Sequence, residues 1–378
     1  MKIVVNTRLL LKNRLEGIGW FTFETLKRIT NNHPDVDFVF VFDRDYDESF
    51  VFSPNVTPVV LFPPTRHPFL WYIWFEWQLK NLLKKEKPDL FFSPDGYLCL
   101  STSVPSVAVI HDINFAHYPL TLPFWARKYY NYYFPRFAKK SNRLATVSEY
   151  SKSDIVKTYQ INPEKIDVVY NGANTMYKPL TENEKEATRI EFFGDAKQLY
   201  FVYVGALLPR KNVARMLLAY NDFRKKSSVS VKMLIVGGIM FKTSDITEVY
   251  EKMEYKSDVV FAGRQSPEKL KYIIGSAFAL TYVPWFEGFG IPILEAMYCH
   301  VPVITSNVTS MPEVAGDAAI LVNPYSVDSI CNAMLEMTNN DNLRNELIER
   351  TQVQKQLFSW DKTAENVWNS LMKAMKSN

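Results

Sequence analysis

The stretch AFALTYVPWFEGFGIPILEAMYCHVPVIT, residues 277–305, decides the fold. It begins as an apolar strand that ends near Val283 and turns at Gly288 and Gly290. A helical pattern follows from about Ile291 to Cys299, and then a second strand, PVIT. Strand, helix and strand in that order is the repeating step of a parallel α/β sheet. Pro292 suits the helix start, because the N–H that proline lacks would have had no partner there. Glu287 stands just before the turn and Glu295 about one helical turn inside it.

The same alternation extends outward through both halves of the chain. In the first half, strands are read at KIVV, DFVFVF, DLFFS, SVAVI and RLATV, with helices over Trp20 to Thr30, Phe69 to Lys85 and Phe124 to Lys139. The stretch YNGANTMYKPLTENEKE, residues 170–186, is rich in turn residues and charge and reads as a linker. Strands then resume at LYFVYVG, KMLIVGG, DVVFAG, AFALTYV, PVIT and AAILV. The expected architecture is α/β, with two doubly wound Rossmann-like domains, 1–175 and 183–360, facing each other across a cleft. A last helix in 361–378 is free to pack back on the first domain. With 378 residues and 47% hydrophobic content, the chain has material for two cores, since single cores stop growing near ~250–300 residues.

Charge and cysteine content narrow the classes. A net charge of +4, from 44 basic and 40 acidic residues, gives a weak field, and no basic patch dominates, so no nucleic-acid partner is expected. Cys99, Cys299 and Cys331 lie far apart without metal-type or redox-type spacing, which fits a reduced compartment. The apolar start, MKIVV, is broken by Asn6 and Arg8 and reads as a strand and not as a leader core. No run of apolar residues is long enough to span a membrane. A soluble, cytoplasmic protein is expected.

In open parallel sheets, ligands sit beyond the carboxyl ends of the strands. At the turn of residues 287–291, glycines let backbone approach a ligand closely, and the helix start offers N–H groups and a favourable dipole to an anion. A phosphate is the natural guest. Glu287 and Glu295 would reach hydroxyls on either side of it, and hydroxyls flanking phosphate describe a nucleotide sugar. The plainer alternative is a strand-to-helix turn with solvated glutamates.

The segment EGFGIPILEAMYCHVPVITSNVTSMPEVAGDAAILVNP closely resembles the carboxyl-terminal signature of the family 4 retaining glycosyltransferases, which have the GT-B fold. The resemblance extends over nearly the whole chain, through GIGWFTFETLKRI, VIHDI, TVSEYSKSDI, YNGAN, VGALLPRKN, FAGRQSPEKL and FSWDKTAEN. It implies transfer of a hexose from a nucleoside-diphosphate sugar to a saccharide or lipid-linked glycan, with retention and without a metal or other cofactor. The implied catalytic residues are His111, Arg210, Lys211 and Glu287. The implied donor-binding residues are Gly17, Gly19, Gly205, Gly263, Gly288, Phe289, Gly290, Ile291 and Glu295. Arg210 and Lys211 would hold the diphosphate and stabilise charge on the leaving group. Glu295 would hold the ribose, Glu287 the sugar, and His111 would contact the donor sugar near the reacting carbon. GIGWFTFETLKRI looks most like mannosyl- and rhamnosyl-type members, which tilts the donor towards GDP-mannose and keeps UDP-sugars as the alternative.

Each residue also has a bland reading. Arg210 and Lys211 could be a solvated surface pair, and His111 a core histidine bonded to a backbone carbonyl. Gly17 and Gly19, placed in the loop after the first strand, could simply cap a helix. Ser148 and Glu149 match a family motif but suit an N-cap equally. Asp43, Asp45 and Asp47 read as a solvated acidic loop in preference to a metal-binding Asp-x-Asp pair. The helix FLWYIWFEWQLKNLLKKEKPD, residues 69–89, reads either as a core helix with a basic tail or as a peripheral contact at the inner face of a membrane, and RKYYNYYFPRFAKK raises the same choice. His300 stands where the family commonly has glycine, and Pro284–Trp285 replaces its usual Pro-Ser. Two other classes share the architecture: a nucleotide-sugar 2-epimerase and a non-catalytic nucleotide-sugar-binding subunit. The number of subunits is not read from the sequence.

Overall fold

The computed structural model describes residues 1–12, 14–238 and 244–376. The chain forms two compact units, Met1–Asn171 with Ser359–Asn378, and Gly172–Phe358.

The first unit holds seven strands: β1 (Lys2–Asn6), β2 (Asp37–Phe42), β3 (Val56–Val60), β4 (Leu90–Ser93), β5 (Ser106–Val109), β6 (Arg143–Thr146) and β7 (Ile166–Val168). Their order across the sheet is β3-β2-β1-β4-β5-β6-β7, and every pairing is parallel. Parallel sheets are covered on both faces, so their strands are apolar throughout rather than alternating. Ile3, Val4 and Val5, and Leu90, Phe91 and Phe92, are accordingly all buried. Two strands escaped the sequence reading. Val56–Val60 contains Pro58 and lies at one edge, where a missing N–H costs no ladder bond on the open side. Ile166–Val168 is a three-residue strand at the other edge.

The second unit holds β8 (Leu199–Val204), β9 (Val231–Val236), β10 (Val259–Gly263), β11 (Ala279–Tyr282), β12 (Val303–Ser306) and β13 (Ala319–Val322), in the order β10-β9-β8-β11-β12-β13. These pairings are also parallel. Two parallel-sheet α/β units are what the sequence predicted. In each, the strand order reverses direction at one place, between β1 and β4 and between β8 and β11. Such switch points open the crevice where ligands bind in doubly wound sheets.

The final helix, Trp360–Lys376, belongs to the first unit. It packs along the helix Gly17–Asn32, with Arg28 Nε 2.5 Å from Asp361 Oδ1 and the His33 ring stacked at 3.6 Å on Trp368. Among the described residues no helix is long and apolar enough to cross a membrane.

Candidate functional site

Two loops define the site of the second unit, and they follow β8 and β11, the strands that flank its switch point. After β8 the chain makes a short turn, Pro209–Lys211, closed by Asn212 in the left-handed conformation at φ 64°. Asn212 is buried, and its amide donates to the Val283 carbonyl (2.9 Å) and the Pro324 carbonyl (2.8 Å). Trp285 N–H donates to the Arg210 carbonyl at 2.9 Å, and Arg210 Nη1 donates to the Phe286 carbonyl at 3.2 Å. The two loops are therefore tied by backbone and side-chain bonds before any charged pair is counted.

Within this frame Arg210, Lys211 and Glu287 converge. Glu287 Oε2 accepts from Arg210 Nη1 at 2.7 Å, from Lys211 Nζ, and from the Tyr282 hydroxyl at 3.1 Å. Lys211 Nζ also donates to the Tyr282 hydroxyl. Burial alone would raise the Glu287 pKa, but Lys211 and Arg210 outweigh it and hold it at about 2. Glu287 is thus an anion that keeps two neighbouring cations together.

Glu295 lies in the helix Ile291–Tyr298 and has the opposite surroundings. Burial pushes its pKa up to about 7, only partly opposed by a hydrogen bond from Tyr177. The two carboxylates of one turn are thereby set far apart in proton affinity, one fixed as an anion and one titrating near neutrality.

Gly290 caps that helix at φ 94°, a conformation that favours glycine. Pro292 takes the second helical position rather than the first. Ile291 is the first helical residue and half-buried, whereas the Phe289 side chain is buried against Phe358, ring centroids 5.5 Å apart. Gly288 lies between Glu287 and Phe289. The Glu287 carbonyl accepts from Ser310 Oγ at 2.8 Å. Gly205, Gly237 and Gly263 stand at the carboxyl ends of β8, β9 and β10, three neighbouring strands with β9 in the middle. Gly205 N–H donates to the Val236 carbonyl and Gly237 N–H to the Gly263 carbonyl, both at 2.9 Å. A Cβ at Gly237 would stand 1.8 Å from the Gly205 carbonyl oxygen.

The remaining predicted residues lie in the first unit. His111 follows β5, half-buried, its ring edge-on to Phe21 at 4.9 Å. Its Nε2 is 2.8 Å from the Pro94 carbonyl. A carbonyl only accepts, so Nε2 carries the hydrogen and Nδ1 holds the lone pair when the ring is neutral. Burial lowers the His111 pKa against the pull of the Pro94 carbonyl, Asp112 and Asp95. The ring thus makes the backbone bond of the plainer reading, and Nδ1 is the ring nitrogen left to meet a ligand. Gly17 and Gly19 are not in a loop, as the sequence suggested, but in the first turn of the helix Gly17–Asn32. Gly19 is pressed against the Leu9 carbonyl, 3.0 Å from where its Cβ would stand, while a Cβ at Gly17 would meet nothing within 4 Å. Ser148 is an N-cap, its side chain accepting from Ser151 N–H at 3.0 Å.

The solvated-loop reading is corrected at two of its three aspartates. Asp43 is not solvated. It is fully buried, accepts from Arg44 Nε at 2.7 Å and Nη2 at 2.8 Å, and takes the Thr65 N–H at 2.7 Å. Asp47 caps a short turn, accepting from Ser49 N–H, and pairs with Lys12. His300 is half-buried, with Nε2 2.8 Å from Gln352 Nε2 and 3.3 Å from Lys355 Nζ.

Sequence reasoning missed Tyr282, Asn212 and Tyr177 in the second unit, and a buried pair at the switch point of the first. There Arg8 Nε donates to Asp95 Oδ2 at 2.6 Å and Asn6 Nδ2 to Asp95 Oδ1 at 2.7 Å, with the Arg8 guanidinium 4.0 Å over the Tyr97 ring. Their positions directly after β1 and β4 were the available signal.

With this geometry in place, similarity to known proteins is informative. Residues 184–354 match the family Glycosyl transferases group 1, and residues 15–177 match Glycosyltransferase Family 4. The chain is 30% identical over 285 residues to the O-antigen chain mannosyltransferase RfbU of Salmonella typhimurium, covering 74% of this chain and 75% of that protein. It is 28% identical over 279 residues to the O-antigen chain mannosyltransferase B of Escherichia coli, covering 74% and 73%. Among solved structures, WaaG, a glycosyltransferase involved in lipopolysaccharide biosynthesis, is similar at a TM-score of 0.75 with 17% identity, over 98% of this chain and 99% of that one. Anabaena Alr3699/HepE in complex with UDP and glucose is similar at the same TM-score, identity and coverage. At that identity the two structures speak for the fold.

Proposed function

The chain belongs to the family 4 glycosyltransferases of GT-B fold and is a glycosyltransferase; from that premise we propose that it transfers mannose from GDP-mannose to a saccharide or lipid-linked glycan, with retention and without a metal ion. The observation that carries the mechanism is the convergence of Arg210, Lys211 and Glu287 on the switch point of the second unit. The mannosyl choice is supported by the two O-antigen mannosyltransferases to which the chain is similar.

In this reading Arg210 and Lys211 bind the diphosphate oxygens and stabilise the charge that grows on the leaving group, the task a metal ion performs elsewhere. Glu287 holds both cations and the Tyr282 hydroxyl through Oε2 and meets the donor sugar. The Gly288, Phe289 and Gly290 backbone and the helix start at Ile291 meet phosphate and sugar, and Glu295 accepts from the ribose hydroxyls. Gly17 and Gly263, where a Cβ would meet nothing within 4 Å, leave room for the donor to approach backbone, and Gly205 and Gly19 keep the donor-binding role that the resemblance gives them. His111 keeps the role that the resemblance gives it, a contact to the donor sugar. The bond from the anomeric carbon to the phosphate oxygen breaks as the acceptor oxygen bonds to that carbon on the same face. The departing phosphate takes the acceptor's proton.

Incubation of the protein with EDTA and GDP-mannose, UDP-glucose, UDP-galactose or UDP-N-acetylglucosamine tests this reading. Slow release of mannose and GDP, with the anomeric configuration of the donor retained in transfer product, is the expected result. An epimerised nucleotide sugar, a strict metal requirement, or full turnover by Glu287→Ala would each overturn it.

A further inference from the structure

Residues 283–290, the turn that carries Glu287, form neither helix nor strand. Their carbonyls therefore lack ladder partners and are satisfied in another way. From the loop after β8, Asn212 donates to the Val283 carbonyl and Arg210 to the Phe286 carbonyl. The end of β12 and the loop that follows it supply hydroxyls. Thr305 Oγ1 donates to the Tyr282 carbonyl at 2.7 Å, Ser306 Oγ to the Pro284 carbonyl at 2.6 Å, and Ser310 Oγ to the Glu287 carbonyl at 2.8 Å. All three hydroxyl residues are fully buried.

Ser310 directly precedes the helix Met311–Ala315, a place where serine ordinarily accepts from the N–H groups of its own helix. It makes no such cap bond, and its hydroxyl goes to Glu287 instead. The residue before it, Thr309, stands at φ 58°, a left-handed conformation that is strained for a β-branched side chain. The Thr309 hydroxyl oxygen is buried without a hydrogen-bond partner among the described residues. Strain of this kind persists only where the surroundings impose it. What this bend achieves is to bring Ser310 to Glu287 and Met311 to Gly290, where a Cβ would stand 2.8 Å from Met311 Cε.

We propose that Ser306 and Ser310 are positioning residues, which fix the main chain at Pro284 and Glu287 so that Glu287 Oε2 meets Arg210, Lys211 and Tyr282 at one point. The bonds lie within the second unit; their consequence for catalysis rests on the function proposed above. Charge on the leaving group grows only as the bond breaks, so cations misplaced by a loosened Glu287 cost more in kcat than in KM.

Ser310→Ala should lower kcat for donor turnover by about tenfold and change donor KM by less than about threefold. Ser306→Ala, whose bond lies further from Glu287, should lower kcat by about threefold. Tyr220→Phe is the control. It removes a buried hydroxyl that donates to the Val231 carbonyl at 3.0 Å, at the amino end of β9 and away from the turn. It should lower the urea midpoint of unfolding, as Ser310→Ala does, and leave kcat at the parent value. A double-mutant cycle of Ser310→Ala with Arg210→Gln, read on urea midpoints, needs no donor. Both residues bond to Glu287, so the midpoint shift caused by Ser310→Ala should shrink by about half in the Arg210→Gln background. Parent kcat in Ser310→Ala, an equal loss of kcat in Tyr220→Phe, or additive shifts in the cycle would overturn the proposal. A parent protein that turns over no donor would remove the functional reading, and the cycle would then decide the positioning alone.

Discussion

The Tyr282 hydroxyl stands 3.1 Å from Glu287 Oε2 and also accepts from Lys211 Nζ. It is the uncharged member of a cluster whose other members are ions. Tyr282 is almost wholly buried at the end of β11, and burial keeps its hydroxyl protonated, so it bridges the cation and the carboxylate as a neutral group. Tyr282→Phe keeps the ring and removes the bridge. Hydrogen bonds to charged groups contribute roughly 1.5–3 kcal/mol, so donor turnover should fall by about tenfold or more. Near-ultraviolet circular dichroism should show the fold retained, and unchanged kcat/KM for the donor would refute the bridging role.

The split between Glu287 and Glu295 makes the two carboxylates respond to pH in opposite senses. Glu287, held at about 2, contributes stability that is present above the ordinary glutamate range and is lost as pH falls toward that value. Glu295, raised to about 7, is favoured in its protonated form by the fold. Its contribution is full below the ordinary glutamate pKa and is lost as pH rises through about 7. Glu295→Gln should therefore stabilise the protein by on the order of 2 kcal/mol at about pH 8 and not at about pH 4. Urea unfolding at both values checks this. Because ribose hydroxyls need an acceptor, donor KM in the parent should also drop as pH rises through about 7, a trend the variant loses.

How much of this was legible in the sequence follows from which features are local. The central strands were read because a parallel sheet buries both faces of a strand and leaves an unbroken apolar run, as in DFVFVF and LYFVYV. The edges were missed because an edge strand can carry Pro58 or shrink to three residues. Arg210, Lys211 and Glu287 were legible as motif residues, but their mutual contact was not, since it depends on two loops lying side by side at a switch point. Tyr282 reads in sequence as an ordinary strand residue, and only its place at the strand's end makes the hydroxyl part of the site. Gly17 and Gly19 were placed in the loop after the first strand, whereas both lie in the first turn of a helix, where the Leu9 carbonyl crowds the place a Cβ would take at Gly19.

Gly237 and Gly17 separate packing from function among the glycines. An alanine Cβ at Gly237 would fall 1.8 Å from the Gly205 carbonyl oxygen, a backbone atom that cannot swing away. Gly237→Ala should cost more than about 3 kcal/mol and abolish cooperative folding of the second unit at moderate temperature. Gly17→Ala places a methyl where nothing lies within 4 Å, so stability should change by less than about 1 kcal/mol. A fall in donor turnover in that stable variant is what backbone contact at Gly17 predicts, and full turnover would exclude it.

His300 occupies a left-handed position at φ 58°, the conformation that explains why glycine commonly stands there in the family. A non-glycine residue in that region costs about 1–2 kcal/mol, and here the imidazole recovers part of it. Burial, then Lys355, lowers the His300 pKa, so the neutral ring can accept at Nε2 from Gln352 at 2.8 Å. His300→Gly removes the backbone strain and that acceptor together, and its net effect should lie within about 1 kcal/mol of zero. His300→Ala keeps the strain and loses the acceptor, so it should destabilise the protein by about 2 kcal/mol. Thermal unfolding of the two variants side by side checks the ordering. An alanine variant as stable as the glycine variant would show that the left-handed backbone carries no strain.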